Sequence, residues 1–478
     1  MGYIEGSDRD QQVFFPEALD DYVRAENPVR FLDAFVTSLD LSALGFQRAI
    51  PNETGRPPYD PGDLLRLYLY GYLYRLRSSR KLEQETHRNV ELIWLLRKLR
   101  PDFKTIADFR RENPQALKAV CRAFTLLCKQ LDLFGGELVA IDGSKFRAVN
   151  SRQRNFSRPT LERLLRRIDT RIAEYLRGLD SQDTQDQAEA GSATPSAADL
   201  RQKIDALHTR HERYTTLLAQ LEASGETQIS LTDPESRSMK AGASTEVCYN
   251  VQTAVDAKHN LIVANDVTNA PTDRENLSAM ALAANEVLEA PALNAIADMG
   301  YYSGPEVVAC LDAGITPTVP RPLTSANAKL GLFTKEDFTY DPADDQYRCP
   351  AGETLTYRFS TVEQGRGMRY YSTSACSTCA LKPRCTRNKE SRRITRWEQE
   401  AVLEAMEQRL QAKPELGTRR KAIVEHPYGT MKRGMDQGYF LLRGLKKVRA
   451  EFSLTVLAYN MKRVITLVGV PQMIAALG

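Results

Sequence analysis

Glu137-Leu138-Val139-Ala140-Ile141-Asp142-Gly143 runs four apolar residues into an aspartate and then a glycine. A short apolar run rich in Val and Ile, with a turn former beyond it, reads as a strand buried on both faces. Asp142 then stands near that strand's edge in the middle of the fold, where an ionised carboxylate is unfavourable without a cation. It is paired, or it holds a metal, or it caps the next turn. Further on, Leu293-Asn294-Ala295-Ile296-Ala297-Asp298 repeats the theme, a short strand terminated by an aspartate.

Between these stretches, Val247, Tyr249, Val251, Thr253 and Val255 alternate with Cys248, Asn250, Gln252 and Ala254, a strand pattern that returns through Leu261-Ile262-Val263-Ala264 as a hairpin partner. Thr272-Asp273-Arg274-Glu275 has the form of a capping box opening an Ala-rich helix. By these readings Asp256 belongs to the hairpin turn, Asp273 to the cap, and Asp266 to the surface. Ser303-Gly304-Pro305-Glu306 caps another helix, and Ile315 to Val319 is one more strand. Leu161, Leu165, Ile168, Ile172 and Leu179, then Leu200, Ile204, Leu207, His211, Tyr214, Leu218 and Leu221, form two heptad stripes. A polar stretch from Ser181 to Ala198 links them, so the insertion reads as an antiparallel helical hairpin with His211 packed.

Upstream, residues 1–134 read as wholly helical. Tyr59-Asp60-Pro61 supplies an N-cap and a first-turn proline, and Thr105-Ile106-Ala107-Asp108 starts a later helix with Thr105 as cap. Short helices studded with Arg75, Arg77, Arg80 and Lys81 fit a helix-turn-helix-like DNA-binding unit or any small bundle. Downstream, residues 321–397 carry Cys349, Cys376, Cys379 and Cys385. Four thiolates with one Cys-x-x-Cys pair can close a tetrahedral zinc site; a redox pair or four independent thiols are the alternatives. After 398 the chain is helical again, with Glu425 among Lys421, Lys432 and Arg433, and with Pro427 expected to kink the helix.

The length of 478 residues calls for about two to four units. Net charge is only +4, yet basic stretches (75–111, 144–171, 419–449) are segregated from acidic ones (174–189, 335–345), as suits a polyanion partner or solvated helix faces. Lys462 and Arg463 interrupt the most apolar late segment, which excludes a membrane span there. Met1 leads into Gly-Tyr-Ile-Glu-Gly-Ser with no basic start and apolar core, so no signal peptide is expected. Cys121, Cys128, Cys248 and Cys310 read as buried reduced thiols, and the expected location is cytoplasmic.

With the hairpin removed, three early strands followed by alternating helices and strands resemble the order of the ribonuclease H-like fold, which sets carboxylates of its first and fourth strands side by side. Asp142-Gly143-Ser144-Lys145, Ala297-Asp298-Met299-Gly300-Tyr301-Tyr302 and Val424-Glu425-His426-Pro427-Tyr428-Gly429-Thr430-Met431-Lys432 resemble, in order, the three blocks of DDE transposases of bacterial insertion sequences. The resemblance covers essentially the whole chain, Cys349-Pro350 and the cysteine cluster included. It implies an α/β fold: a helical DNA-binding domain over 1–134; a ribonuclease H-like core from 135–150, 244–320 and 398–478; a hairpin insertion over 151–243; and a cysteine-containing insertion over 321–397.

Carried over by residue, Asp142, Asp298 and Glu425 are the implied catalytic and metal-binding triad for two Mg²⁺ or Mn²⁺ ions. Lys432 is an implied contact to the element end. Lys145, Arg147, Arg152, Arg154, Lys421 and Arg433 are further candidate DNA contacts, with Arg75, Arg77, Arg80 and Lys81. Where relatives carry Tyr and Arg seven and four residues before the Glu, this chain has Thr418 and Lys421, and Lys421 lacks the bidentate fork. The implied activity is binding of terminal inverted repeats, hydrolysis at the element ends and transfer of the 3′ hydroxyl to target DNA, by a homodimer assembled on double-stranded DNA in a bacterial nucleoid. A catalytically silent DNA-binding repressor, or a nuclease of the same fold, is the alternative.

Overall fold

The computed structural model describes residues 18–50, 57–185, 197–242, 244–322 and 325–478. The centre of the expected linker, 186–196, and the side chain of Arg152 lie outside the described residues.

Among the described residues, six α-helices come before the first strand: α1 (Pro28–Thr37), α2 (Pro61–Leu73), α3 (Ser79–Arg88), α4 (Val90–Leu95), α5 (Phe103–Glu112) and α6 (Pro114–Gln130). Their starts follow local chemistry. Asp60 accepts from the Gly62 amide at 2.7 Å ahead of Pro61. Asp102, not Thr105, caps α5, because its carboxylate reaches the amides of both Lys104 and Thr105. Every residue of α2 is buried, as expected of a helix enclosed on all sides.

The main sheet begins with β1 (Leu138–Arg147). A small pair, β2 (Asn155–Ser157) and β3 (Gln228–Ser230), closes the base of the hairpin made by α7 (Arg158–Gln185) and α8 (Ala197–Ser224). His211 is not enclosed there: its Nε2 lies 3.2 Å from Asp169 across the helix pair. The sheet resumes with β4 (Arg237–Ala241), β5 (Ser244–Asp256), β6 (Ile262–Thr268), β7 (Leu293–Ile296) and β8 (Ile315–Thr318), accompanied by α9 (Leu277–Leu288) and α10 (Gly304–Asp312). β1, β5 and β6 form an antiparallel meander, and β7 and β8 add on the far side of β1, parallel to it. β4 pairs with the start of β5, so residues 237–241 belong to this sheet and not to the hairpin insertion.

A second sheet, β9 (Thr339–Asp341), β10 (Gln346–Arg348), β11 (Thr354–Glu363), β12 (Arg366–Ser372) and β13 (Ile394–Trp397), carries two one-turn helices, α11 (Ala326–Lys329) and α12 (Lys382–Cys385). Its own core is small, built on Phe338, Tyr347, Leu355, Tyr371 and Ile394. The chain ends in α13 (Glu400–Ala412), α14 (Glu415–Gly429), α15 (Leu445–Val468) and α16 (Val470–Ala475). Pro427 does not end α14; the helix runs through it and widens into a π-helical turn over Thr430–Gly434. α15 packs against β6, α6 and α2, which joins the sheet and the N-terminal helices into one core. No helix among the described residues is long and apolar enough to cross a membrane.

Candidate active site

Register explains why two acids meet. In the parallel pair β1 and β7, Val139 lies opposite Ala295 and Ala140 opposite Ile296. Two residues further on, Asp142 and Asp298 come level on the same side of the pleat, where neighbouring strands are about 4.8 Å apart. Asp298 lies just past the end of β7, whereas Asp142 does not end its strand as expected but sits in the middle of β1, which runs on to Arg147. Their charges act on each other. Burial pushes the Asp142 carboxyl up to about 6; Arg420 opposes that shift, and the charges of Asp298 and Asp273 add to it.

Arg420 is the cation nearest Asp142, with its Nη1 3.5 Å from Oδ1, yet that nitrogen makes no hydrogen bond. The strand itself is held from α14: the Tyr428 hydroxyl donates to the Asp142 carbonyl at 2.8 Å and receives the Thr253 hydroxyl at 3.0 Å. Asp298 opens a tight turn, accepting from the Gly300 amide at 2.8 Å. Lys432 Nζ, on the π-helical turn, folds back onto β1, donating to Ser144 Oγ at 2.6 Å and to the Lys145 carbonyl at 3.1 Å. Burial lowers its pKa.

Glu425 is placed differently from the other two acids. It is exposed on α14 between buried Val424 and Tyr428 and makes no ion pair or hydrogen bond among the described residues. The carboxylates weighing most on Asp142 are Asp298 and Asp273. Among the described residues no group of three or more His, Cys, Asp or Glu side chains is arranged to hold a metal ion. Asp142 and Asp298 nevertheless suit a hard divalent ion: they are oxygen donors whose mutual repulsion and desolvation such a charge would relieve.

The other expected residues divide by environment. Arg147, Arg154, Lys421, Arg433, Arg75, Arg80 and Lys81 are exposed. Arg77 is not available to DNA: it is buried, donates to the carbonyls of Tyr439 and Asp436, and faces Glu451. Lys145 is half-buried beside Asp273, with its Nζ 3.4 Å from Oδ1. His426 is held by the Tyr459 hydroxyl at 2.9 Å and by Arg463 at 3.2 Å, which gives it a structural role on α15. Trp397 is core, its ring against Gly304.

Cys349, Cys376, Cys379 and Cys385, read as a zinc site, a redox pair or independent thiols, line one small cavity and the first three act on Cys385 through charge, though they do not form a group of three or more arranged to hold a metal ion. Cys349 and Cys385 turn toward the small apolar core of the second sheet.

Two residues escaped the sequence reading. Arg420 shares a helix face with Val424 and Tyr428 at four-residue spacing, which was the signal available for it. Asp273 is not spent on a helix cap: α9 starts at Leu277 after Asn276, and the Asp273 carboxylate instead receives the buried amides of Asn250 and Gln252. Two amides alternating on an otherwise apolar strand demand such a partner.

Residues 348–465 match the family model described as Transposase DDE domain, and residues 17–112 match Transposase domain (DUF772). Over these two stretches the chain is similar to DDE transposases of the insertion-sequence type. The first match takes in the cysteine cluster, Glu425 and Lys432; β1 and β7 lie between the two. No curated protein matches this chain. A solved structure that does is a cryo-EM piggyBac transposase synaptic complex with hairpin DNA, at 9% identity and a TM-score of 0.33, covering 95% of this chain and 79% of that one.

Proposed function

We propose that this chain is a transposase that binds the terminal inverted repeats of its element, cleaves phosphodiesters at the ends and joins the 3′ hydroxyls to target DNA, using a ribonuclease H-like core made of the main sheet. The observation that carries the reading is the level placement of Asp142, in the middle of β1, and Asp298, just past the end of parallel β7, with an under-compensated charge between them. Glu425, exposed and unpaired on α14, is the third acid in this reading.

A divalent cation bound by these carboxylates would supply Lewis-acid polarisation of the scissile phosphodiester. The chain's own residues have separable tasks. Tyr428 and Thr253 fix the backbone that presents Asp142. Arg420 lies against the same carboxylate and keeps a cation in reach of incoming phosphate. Arg433, Lys421, Arg147 and Arg154, all exposed, would neutralise DNA phosphates in a salt-dependent way. Lys432 braces β1 through Ser144. Two ends are processed together, so a homodimer on DNA is part of the proposal.

The test is Mn²⁺-dependent cleavage of duplexes carrying the DNA that flanks the reading frame. Asp142→Asn and Asp298→Asn are each expected to abolish cleavage while leaving binding intact. Undiminished cleavage by either variant removes that residue from the site. Wild-type protein that binds the ends yet never cuts them, with Mg²⁺ or Mn²⁺, would favour a DNA-binding repressor.

A further inference from the structure

Asp273 lies in the connection between β6 and α9, on neither of the strands that carry Asp142 and lead to Asp298, and yet it touches the surroundings of both. Its Oδ1 accepts from Asn250 Nδ2 at 2.6 Å and from Gln252 Nε2 at 2.7 Å, and Lys145 Nζ stands 3.4 Å away. Asn250 and Gln252 are 0% and 1% exposed and occupy alternate positions of β5, so both amides reach the same face of the sheet. Gln252 also accepts, through its Oε1, the hydroxyl of buried Tyr301, three residues beyond Asp298.

An ionised carboxylate can only accept. It therefore orients the Gln252 amide, nitrogen toward Asp273 and oxygen toward Tyr301. The residue after Asp142 makes room for this arrangement: a β-carbon on Gly143 would fall 2.6 Å from both Asp273 Oδ1 and Gln252 Nε2. Gly143 and Gln252 are direct partners across β1 and β5, so the contact is built into the register.

We propose that Asp273 is a positioning residue of the acid centre: it ties Lys145 on the Asp142 strand to Gln252 and, through Gln252, to Tyr301 in the Asp298 turn, and so sets how the two acids face a divalent cation. This rests on the reading of Asp142 and Asp298 as the pair that holds the ion. Asp273 does not itself touch the reacting atoms in this scheme. Its substitution acts through the geometry of the pair.

Mn²⁺ uptake by the full-length chain, followed by electron paramagnetic resonance, tests this without requiring cleavage. Asp273→Asn is nearly isosteric: one oxygen still accepts from both amides, but a donor now faces Lys145. Mn²⁺ affinity is expected to fall roughly 10- to 100-fold, as for other groups that orient metal ligands, with circular dichroism and the unfolding midpoint near wild type. Tyr301→Phe, which removes the hydroxyl at the other end of the chain of contacts, should shift affinity in the same direction by less, and the double variant should fall short of the sum. If Asp142→Asn loses the ion while Asp273→Asn and Tyr301→Phe bind as wild type does, the positioning role is overturned and the pair stands. If Asp142→Asn also binds as wild type does, both readings fall together.

Discussion

Two arginine–carboxylate pairs of this molecule, Arg77 with Glu451 and Arg420 with Asp142, are built to opposite standards. Glu451 on α15 is fully enclosed: it accepts from the amides of Leu441 at 2.9 and 3.1 Å and of Leu442 at 2.8 Å, with Arg77 3.7 Å away. Arg77 spends its remaining donors on the carbonyls of Tyr439 and Asp436 and lies over the Tyr439 ring. Asp142 has Arg420 at 3.5 Å without a hydrogen bond, and two further acids acting against it. A buried charge with every oxygen answered is a fastener. One left short of partners, where two parallel strands bring a second acid level with it, is where function is to be sought.

The largest effect that can break this contrast is at the fastener. Glu451→Ala leaves Arg77 buried without its counter-ion and strands the amides of the 441–442 turn, and removing one member of such a pair costs roughly 3–5 kcal/mol. Urea unfolding of the variant should show that loss. A midpoint unchanged from wild type would mean that Arg77 reaches water and that α15 does not anchor the N-terminal helices through it.

That Arg77 belongs to the core was not legible in the sequence, and the reason is instructive. Arg75, Arg77, Arg80 and Lys81 form a local basic run, whereas Glu451 lies 374 residues after Arg77. A charge run shows its composition but not which member faces inward. The two acids on neighbouring strands were legible, because each closes an apolar run that implies a strand and because the strands' order around the hairpin survives its removal, although β1 runs five residues past Asp142 to Arg147. Asp273 was misread for the opposite reason: Thr272-Asp273-Arg274-Glu275 has a complete local explanation as a capping box, and only the pairing of β6 with β5, from which the β6–α9 connection leaves, brings Asn250 and Gln252 to it. Arg420 fell one position away from the expected site of a cation at Lys421. That shift is invisible without knowing which helix face packs on β1.

A smaller effect sharpens the comparison from the side of the site. The Asp142 carboxyl is held up at about 6, above the usual 3.8. Between those values the folded chain keeps a proton that the unfolded chain has lost, so stability falls as pH rises through this window and stays lower above it. Asp142→Asn removes the liability. At pH 7.5 the variant should be more stable than wild type by on the order of 1–3 kcal/mol, partly offset by the lost partner of Arg420. The difference should shrink toward zero below pH 4. An Asp142→Asn variant less stable than wild type at pH 7.5 would place Asp142 with Glu451, as a structural acid.

The smallest effect separates the backbone of Asp142 from its charge. The Tyr428 hydroxyl donates to the Asp142 main-chain carbonyl at 2.8 Å and not to the carboxylate, and it receives Thr253 on the next strand. Tyr428→Phe should therefore lose about 1 kcal/mol, the net worth of one buried hydrogen bond. The loss should be the same whether position 142 carries Asp or Asn, because the carbonyl is present in both. Urea unfolding of the two single variants and the double variant measures this directly. A coupling larger than about 0.5 kcal/mol would show that the hydroxyl senses the carboxylate. Tyr428 would then belong to the charged site, and the scaffold holding Asp142 in register would have to be sought in the β1–β5 and β1–β7 ladders alone.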